Sequence, residues 1–483
     1  MKLKQFLSGI LALLFVVSLP VSALAAEWDI SNGNITVNAG SGGQTVTQGG
    51  GSAVEDNAPV ITGSSKENTV TINAEKDQTA NVTLSDANID VSSSSKDKAA
   101  VTTTGDGNVS IELNGENTLR GGNAHAGLEK NNGGSLTIAD EDKNGKLTAT
   151  GGRKGAGIGG GYNGTGSDIT ISGGEINAIG GIYGAGIGGG WDGSGSDITI
   201  SGGEVKATGG ANGAGIGGGI NGSGSDITIS GGEVKATGGF CGAGIGGGNS
   251  GNGSDIIITG GEVKATGGVN GAGIGGGLWG KGKDITVSGA AQLKVQGGLE
   301  DDYGGAGAGI GNGGSNADGS NKIPGAEVEP DTSGLTTNGS IAYYAPDADM
   351  EKDEPTRTTV GTLPPQEKPV AERSAAAPLY RVTDKDGRDI TYTAEQKGSV
   401  LTVTVDADFA ILTGSLSNIR TLKAQGVEKI VFVTKGAASA FALADLLENG
   451  STGKTYKLTH DGKTVTFTLG EDMADVSAIL TQP

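Results

Sequence analysis

The chain has 483 residues, 95 of them glycine; 4% are aromatic, 18% are charged, and the formal net charge is −20. That acidity disfavours nucleic acid and anionic membrane as partners. A single cysteine, Cys241, rules out an intramolecular disulfide framework, and with only His125 and His460 beside it too few ligands remain for a zinc site.

The first 26 residues, MKLKQFLSGILALLFVVSLPVSALAA, place Lys2 and Lys4 before an apolar run from Phe6 to Leu19 and a small-residue site at Ala23, Ala25 and Ala26. This is the pattern of a secretory signal peptide, with the mature chain starting near Glu27. No second long apolar run follows, so we expect no membrane insertion and a secreted or loosely surface-associated protein.

Residues 27–320 are dominated by a repeat. GAGIGGG begins at Gly155, Gly184, Gly213, Gly242 and Gly271, always 29 residues apart, and a variant GAGIGNG begins at Gly307 after the insertion LEDDYGG. Such a period marks a solenoid or array. Each unit holds three alternating segments, D-I-T-I-S, E-V-K-A-T and G-A-G-I-G, separated by glycine pairs, and alternation predicts strands. In the unit at 197–216, Ile198, Ile200, Val205, Ala207, Ala214 and Ile216 point inward. Asp197, Thr199, Glu204, Lys206, Thr208, Gly213 and Gly215 point outward.

The predicted fold class is therefore all-β: a parallel β-helix with three short strands per 29-residue coil. Nine or ten coils at about 4.8 Å each make a rod of about 45 Å. Ile158, Ile187, Ile216, Ile245 and Ile274 should stack as one inward ladder. The glycine pairs after Ser201 and Thr208 fall at corners. The glycines inside GAGIG (Gly157, Gly159, Gly186, Gly188, Gly215, Gly217) are expected to form a face of bare backbone along the rod. GAGIGG also satisfies the G-x-G-x-x-G dinucleotide fingerprint, but repeated copies with no following helix do not make that site.

Residues 321–377 are rich in proline and acid and read as a linker. Residues 378–483 change character: LYRVTD, DITYTAEQ, VLTVTVDA, KIVFVTK, TYKLTHD and TVTFTLG alternate as strands, with Asp-Gly turns at 386 and 461. SNIRTLKAQG and ASAFALADLLENG read as short amphipathic helices. The expectation is a small C-terminal α+β accessory domain with no catalytic pattern.

The leader, the stretch EWDISNGNITVNAG and the repeated SDITISGGEVKATGG…GAGIGGG together resemble the bacterial carbohydrate-binding-domain family of right-handed β-helices. That family is related in shape to polysaccharide lyases and found in secreted Firmicute proteins. The resemblance covers roughly 27–320. It implies a right-handed β-helix, calcium held by acidic residues near the coils, and binding of acidic or cellulosic plant polysaccharide without cleavage.

Two sets of residues carry the functional expectation. Asp168, Asp197, Asp226, Asp255 and Asp284 share one register and lack lysine partners in it, apart from Lys281 and Lys283 in the last coil. They read either as turn residues accepting backbone N–H groups or as calcium ligands. Glu175, Glu204, Glu233 and Glu262 have Lys206, Lys235 and Lys264 beside the last three and read as solvated ladders. The position after GGG holds Tyr162, Trp191, Ile220, Asn249 and Leu278, with Trp279 adjacent. Flat rings stack on sugar faces, so Tyr162, Asn163, Trp191, Asp192 and Trp279 are the candidate ligand-binding residues; the alternative is that the rings merely cover the glycine face. The coils are too regular to converge an acid, a base and a nucleophile, and only Glu300, Asp301, Asp302 and Tyr303 of the insertion offer clustered acids. The function expected is a non-catalytic polysaccharide-binding β-helix. The alternative is a structural or adhesive surface protein that self-associates through glycine faces.

Overall fold

The computed structural model describes residues 26–93, 97–316, 322–362 and, with short interruptions, 380–481. The expected signal peptide lies outside the described residues but for Ala26.

The 29-residue interval becomes the hydrogen-bonding register. Ile198 pairs with Ile227, Val205 with Val234 and Ile216 with Ile245, each one coil apart and parallel. Three sheets result, each with ten stacked parallel rungs. The first runs from Glu27–Asp29 to Ile285–Val287; the second, built mainly of two-residue strands in the repeats, runs from Ile35–Gly40 to Ile310–Gly311. The third runs from Ser64–Ser65 to Ser340–Tyr344. The chain is a parallel β-solenoid. The expected isoleucine ladder is inward and fully buried, as are Ile198, Ile200, Ala207 and Ala214 of the same unit. Burying one isoleucine gains about 1.5–3 kcal/mol. A lone coil with six such small side chains cannot offset its chain entropy, and stacking supplies the remainder.

Antiparallel strands cover one sheet edge at each end of the rod. At the N-terminal end Ile35–Gly40 pairs antiparallel with Gly43–Gln48, which pairs with Val54–Glu55. At the other end Arg357–Val360 runs antiparallel on Ser340–Tyr344, and the Glu327 carboxylate accepts from the Gly309 and Ile310 N–H groups at 2.7 and 3.2 Å. A covered edge offers no template for end-to-end pairing. This corrects the expected linker: its described part, 322–362, is the terminal rung and cap of the solenoid. Ile341 and Tyr343 are buried as in any rung, but the surrounding prolines and acids hid that alternation.

The glycine face is also corrected. Every residue of GAGIGGG from Gly184 to Gly190 is buried, including Gly186 and Gly188, and the same holds in the neighbouring coils. Gly188 has φ 129°, and a Cβ there would lie 2.0 Å from the Gly217 carbonyl oxygen of the next coil. These glycines therefore serve close coil-to-coil approach and not exposure to solvent. Corner glycines behave as expected at Gly203, where φ is 83°.

The C-terminal unit has two five-stranded sheets around its own core, with Phe432, Phe441, Tyr456, Leu458 and Phe467 fully buried. The turn at Asp461 and Gly462 joins two paired strands as expected; Asp386 and Gly387 lie outside the described residues. Two expectations change. Ala438–Ala442 is a strand paired with Lys429–Val433, and the helix begins only at Leu443. Helix propensity of the alanines loses there to burial of Phe441 in the sheet. Phe409–Ser415 is a further strand, beyond those expected.

Candidate functional site

Each repeat carries a loop before and a loop after the short I–G strand, and the two loops of successive coils meet above it. The Trp191 N–H donates to the Lys154 carbonyl, Ile220 N–H to Tyr183, Asn249 N–H to Asn212 and Leu278 N–H to Cys241, all at 2.8 Å. The loops thus form a roof over the glycine strand, and this roof is the surface on which the candidate residues stand. The residue after each of them needs a left-handed backbone. Asn163, Asp192, Asn221 and Ser250 have φ between 55° and 64°, and Trp279 takes the same place at 63°. Asparagine and aspartate tolerate this region; a tryptophan there is strained.

Tyr162 and Trp191, one coil apart, meet edge to face with centroids 5.9 Å apart. Tyr183, from the loop before GAGIGGG, lies 4.2 Å from the Trp191 ring. Lys154 Nζ sits 4.2 Å from the centre of the Tyr162 ring and 5.3 Å from that of Trp191. The Arg153 guanidinium lies 5.3 Å from the Tyr183 ring and donates to its hydroxyl at 3.2 Å. Three rings and two cations therefore form one patch on a protein of net negative charge. Asn163 and Asp192 flank it and are exposed, and Asn221 Nδ2 donates to Asp192 Oδ1 at 2.7 Å. Trp279 does not join this patch. It is 51% exposed and lies three coils further along, about 14 Å at 4.8 Å per coil.

Arg153, Lys154 and Tyr183 were missed in the sequence. Their signal was present: Lys154 and Tyr183 are 29 residues apart, so they share a row. What the sequence did not reveal is that the rows before and after the glycine strand become neighbours.

At the N-terminal end of the roof, Glu129 occupies the rung of Gly159. Its buried carboxylate accepts from His125 Nδ1 at 2.8 Å, from the Ala126 N–H at 3.0 Å and from Asn131 Nδ2 at 2.8 Å. That hydrogen bond holds the His125 imidazolium above its ordinary range, against the opposing effect of desolvation.

The aspartate row has a backbone explanation. Asp168, Asp197, Asp226, Asp255 and Asp284 all have φ between 52° and 55°, and the first four sit between paired serine and isoleucine rungs without a rung of their own. The backbone thus turns left-handed at the same place in each of these coils, where aspartate is among the few residue types that fit. Asp168 is buried, while Asp226, Asp255 and Asp284 are exposed. Desolvation first, and then Asp255, raise the Asp226 carboxyl above its usual range despite a Ser225 hydrogen bond. Lys283 pairs with Asp284 at 2.7 Å. Among the described residues, no three His, Cys, Asp or Glu side chains are grouped as metal ligands.

In the insertion, Asp301 Oδ1 accepts from the Tyr303 and Gly304 N–H groups, so it shapes the loop, and Glu300 lies 3.9 Å from Lys322.

Residues 143–162, 169–191, 198–220, 227–249 and 256–278 match the family model described as beta helix repeat. No curated protein and no solved structure matches the chain. The five matched segments tile the roofed coils one after another, and over them the chain is similar to that repeat family.

Proposed function

We propose that the protein is an exported, non-catalytic polysaccharide-binding solenoid whose glycan lies on the roof over Tyr162, Tyr183 and Trp191. The observation that carries this reading is the patch itself: three of the chain's few aromatic rings, held together on a loop surface by Arg153 and Lys154. Rings present flat apolar faces to pyranose rings, and exposed Asn163 and Asp192 can bond hydroxyls. The two cations favour a sugar bearing carboxylates, and export is supported by the leader-like residues 1–26. Each stacked ring contributes about 1 kcal/mol beyond its area, so affinity per site is modest.

The test is affinity electrophoresis and pull-down on pectic, cellulosic and xylan polysaccharides, with and without EDTA. We expect retention on at least one glycan and a several-fold loss for Tyr162→Ala/Trp191→Ala with the fold unchanged. An unchanged affinity in that double variant removes the site. The EDTA arm decides whether calcium, at Asp168, Asp197, Asp226, Asp255 and Asp284 or elsewhere, takes part.

A further inference from the structure

The two ends of the roof differ in charge. The row that precedes the glycine strand reads Arg153, Ile182, Ala211, Phe240, Val269 and Leu299 in successive coils. Ile182, Phe240 and Leu299 are 48%, 47% and 50% exposed. Cations, Arg153 and Lys154, stand at one end of this row; the exposed acids Glu300 and Asp302 stand at the other, outnumbering the Lys322 ammonium 3.9 Å from Glu300, with exposed Tyr303 beside them. Between the ends the row is uncharged. An apolar strip with opposite charges at its two ends is complementary to itself when turned end for end.

We propose that the roof is the face through which two copies of this chain pair, antiparallel, about a two-fold axis crossing the rod between the coils of Ala211 and Phe240. That operation sets Phe240 of each copy against Ala211 of the other, a large side chain over a small one. It sets Ile182 against Val269, and Arg153 and Lys154 against Glu300 and Asp302 of the second copy. The strip spans five coil spacings, about 24 Å, and about six residues, or about 20 Å, in width. Covering it removes on the order of 500 Å² from each copy, about 1,000 Å² in all, which is the lower limit of specific interfaces. The pairing is accordingly weak and salt-sensitive. The buried glycine strand takes no part.

The proposal goes beyond the glycan reading and meets it at Arg153 and Lys154: a glycan held there withdraws the cations from the second copy, so ligand and pairing oppose each other.

Sedimentation equilibrium of the purified chain from low to several hundred micromolar tests this. The mass should rise toward two copies and fall back in high salt. Glu300→Lys/Asp302→Lys should weaken association about tenfold, and adding Arg153→Glu/Lys154→Glu to that variant should restore it, since the swap recreates the complementarity. Phe240→Ser, which changes no charge, should weaken pairing at every salt concentration while melting at the same temperature as the parent. A parent mass that stays at one copy overturns the proposal, as does dimerisation indifferent to Phe240→Ser or a charge swap that fails to restore pairing in a folded protein. Phe240 lies outside the Tyr162–Trp191 patch, so Phe240→Ser should still bind glycan, and failure of either reading is seen separately.

Discussion

The Lys154 carbonyl accepts the Trp191 N–H at 2.8 Å while the Lys154 ammonium lies 5.3 Å from the centre of the Trp191 ring. One residue thus staples the two loops of the roof through its backbone and places a cation over the rings through its side chain. The backbone part survives substitution of the side chain. Lys154→Met should therefore keep the roof and the melting temperature while lowering affinity for carboxylated glycans more than for neutral ones, by about 0.5–1 kcal/mol for an exposed cation–aromatic contact plus the lost charge. Calorimetric titration with a pectic fragment and a neutral fragment of equal length measures the difference, and equal losses for both would remove the electrostatic part of the reading.

The coil-to-coil approach of the glycine strand makes a sharper stability prediction. At Gly217 φ is 129° and a Cβ would lie 2.0 Å from the Gly246 carbonyl oxygen. Gly217→Ala should cost several kcal/mol through backbone strain and displaced stacking. Lys206→Ala, on an exposed strand face of the same coil, should cost under about 0.5 kcal/mol. Urea unfolding followed by far-ultraviolet circular dichroism compares them. Equal midpoints would mean that the coils are looser than their spacing indicates.

The isoleucine ladder gives a third test. Ile216 is fully buried between Ile187 and Ile245. Ile216→Ala should destabilise by about 2–5 kcal/mol, because neighbouring coils cannot collapse into the cavity without breaking register. Stability in a stacked array is shared between nearest neighbours. Hydrogen exchange should consequently accelerate most in the coils carrying Ile187 and Ile245 and least near Val70. Uniform acceleration along the rod would indicate all-or-none unfolding instead.

How far the sequence specified this molecule differs from residue to residue. Ile198, Val205 and Ile216 were legible because alternation and a fixed 29-residue period both demand inward ladders, and translation along the chain is the register. Gly186 and Gly188 were misread because a missing side chain serves close packing as well as it serves exposure. Only the position of the next coil distinguishes the two. The aspartate row was legible as a row, but its left-handed φ is a property of the backbone at that place and not of any pattern in the residues. Tyr162 and Trp191 were found because they follow the same motif one period apart. Tyr183 and Lys154 were not, because their contact with those rings crosses between two loops that period alone does not connect. Ala438–Ala442 failed for another reason: five small or aromatic residues satisfy a helix and a strand equally, and pairing with Lys429–Val433 decided the matter.

The two histidines should respond to pH with opposite sign. His460 is fully buried, with Nε2 at 2.6 Å from the Ser439 hydroxyl, Nδ1 at 3.1 Å from the Thr434 hydroxyl and the Phe432 ring at 4.7 Å. Burial lowers its pKa to about 4. An unfolded chain binds a proton at about 6.5, so between about 6.5 and about 4 the unfolded state holds more protons than the folded one. The stability of the C-terminal unit is thus fully present above that window and declines as pH falls through it, by about 2–3 kcal/mol. His125 behaves in the reverse way. Its pKa is raised by the Glu129 carboxylate, so its contribution is present below the unfolded value and is lost as pH rises through the folded one. With only two histidines in the chain, proton NMR resolves both titrations without ambiguity. We expect one midpoint near 4, abolished by His460→Gln, and one above 6.5, shifted down by Glu129→Gln. The His460→Gln variant should also flatten the acid limb of the C-terminal unit's stability curve while leaving the solenoid's tryptophan fluorescence unchanged, since Trp28, Trp191 and Trp279 all lie in the solenoid. A His460 midpoint near 6.5 would mean that water reaches the ring and that the acid sensitivity resides elsewhere.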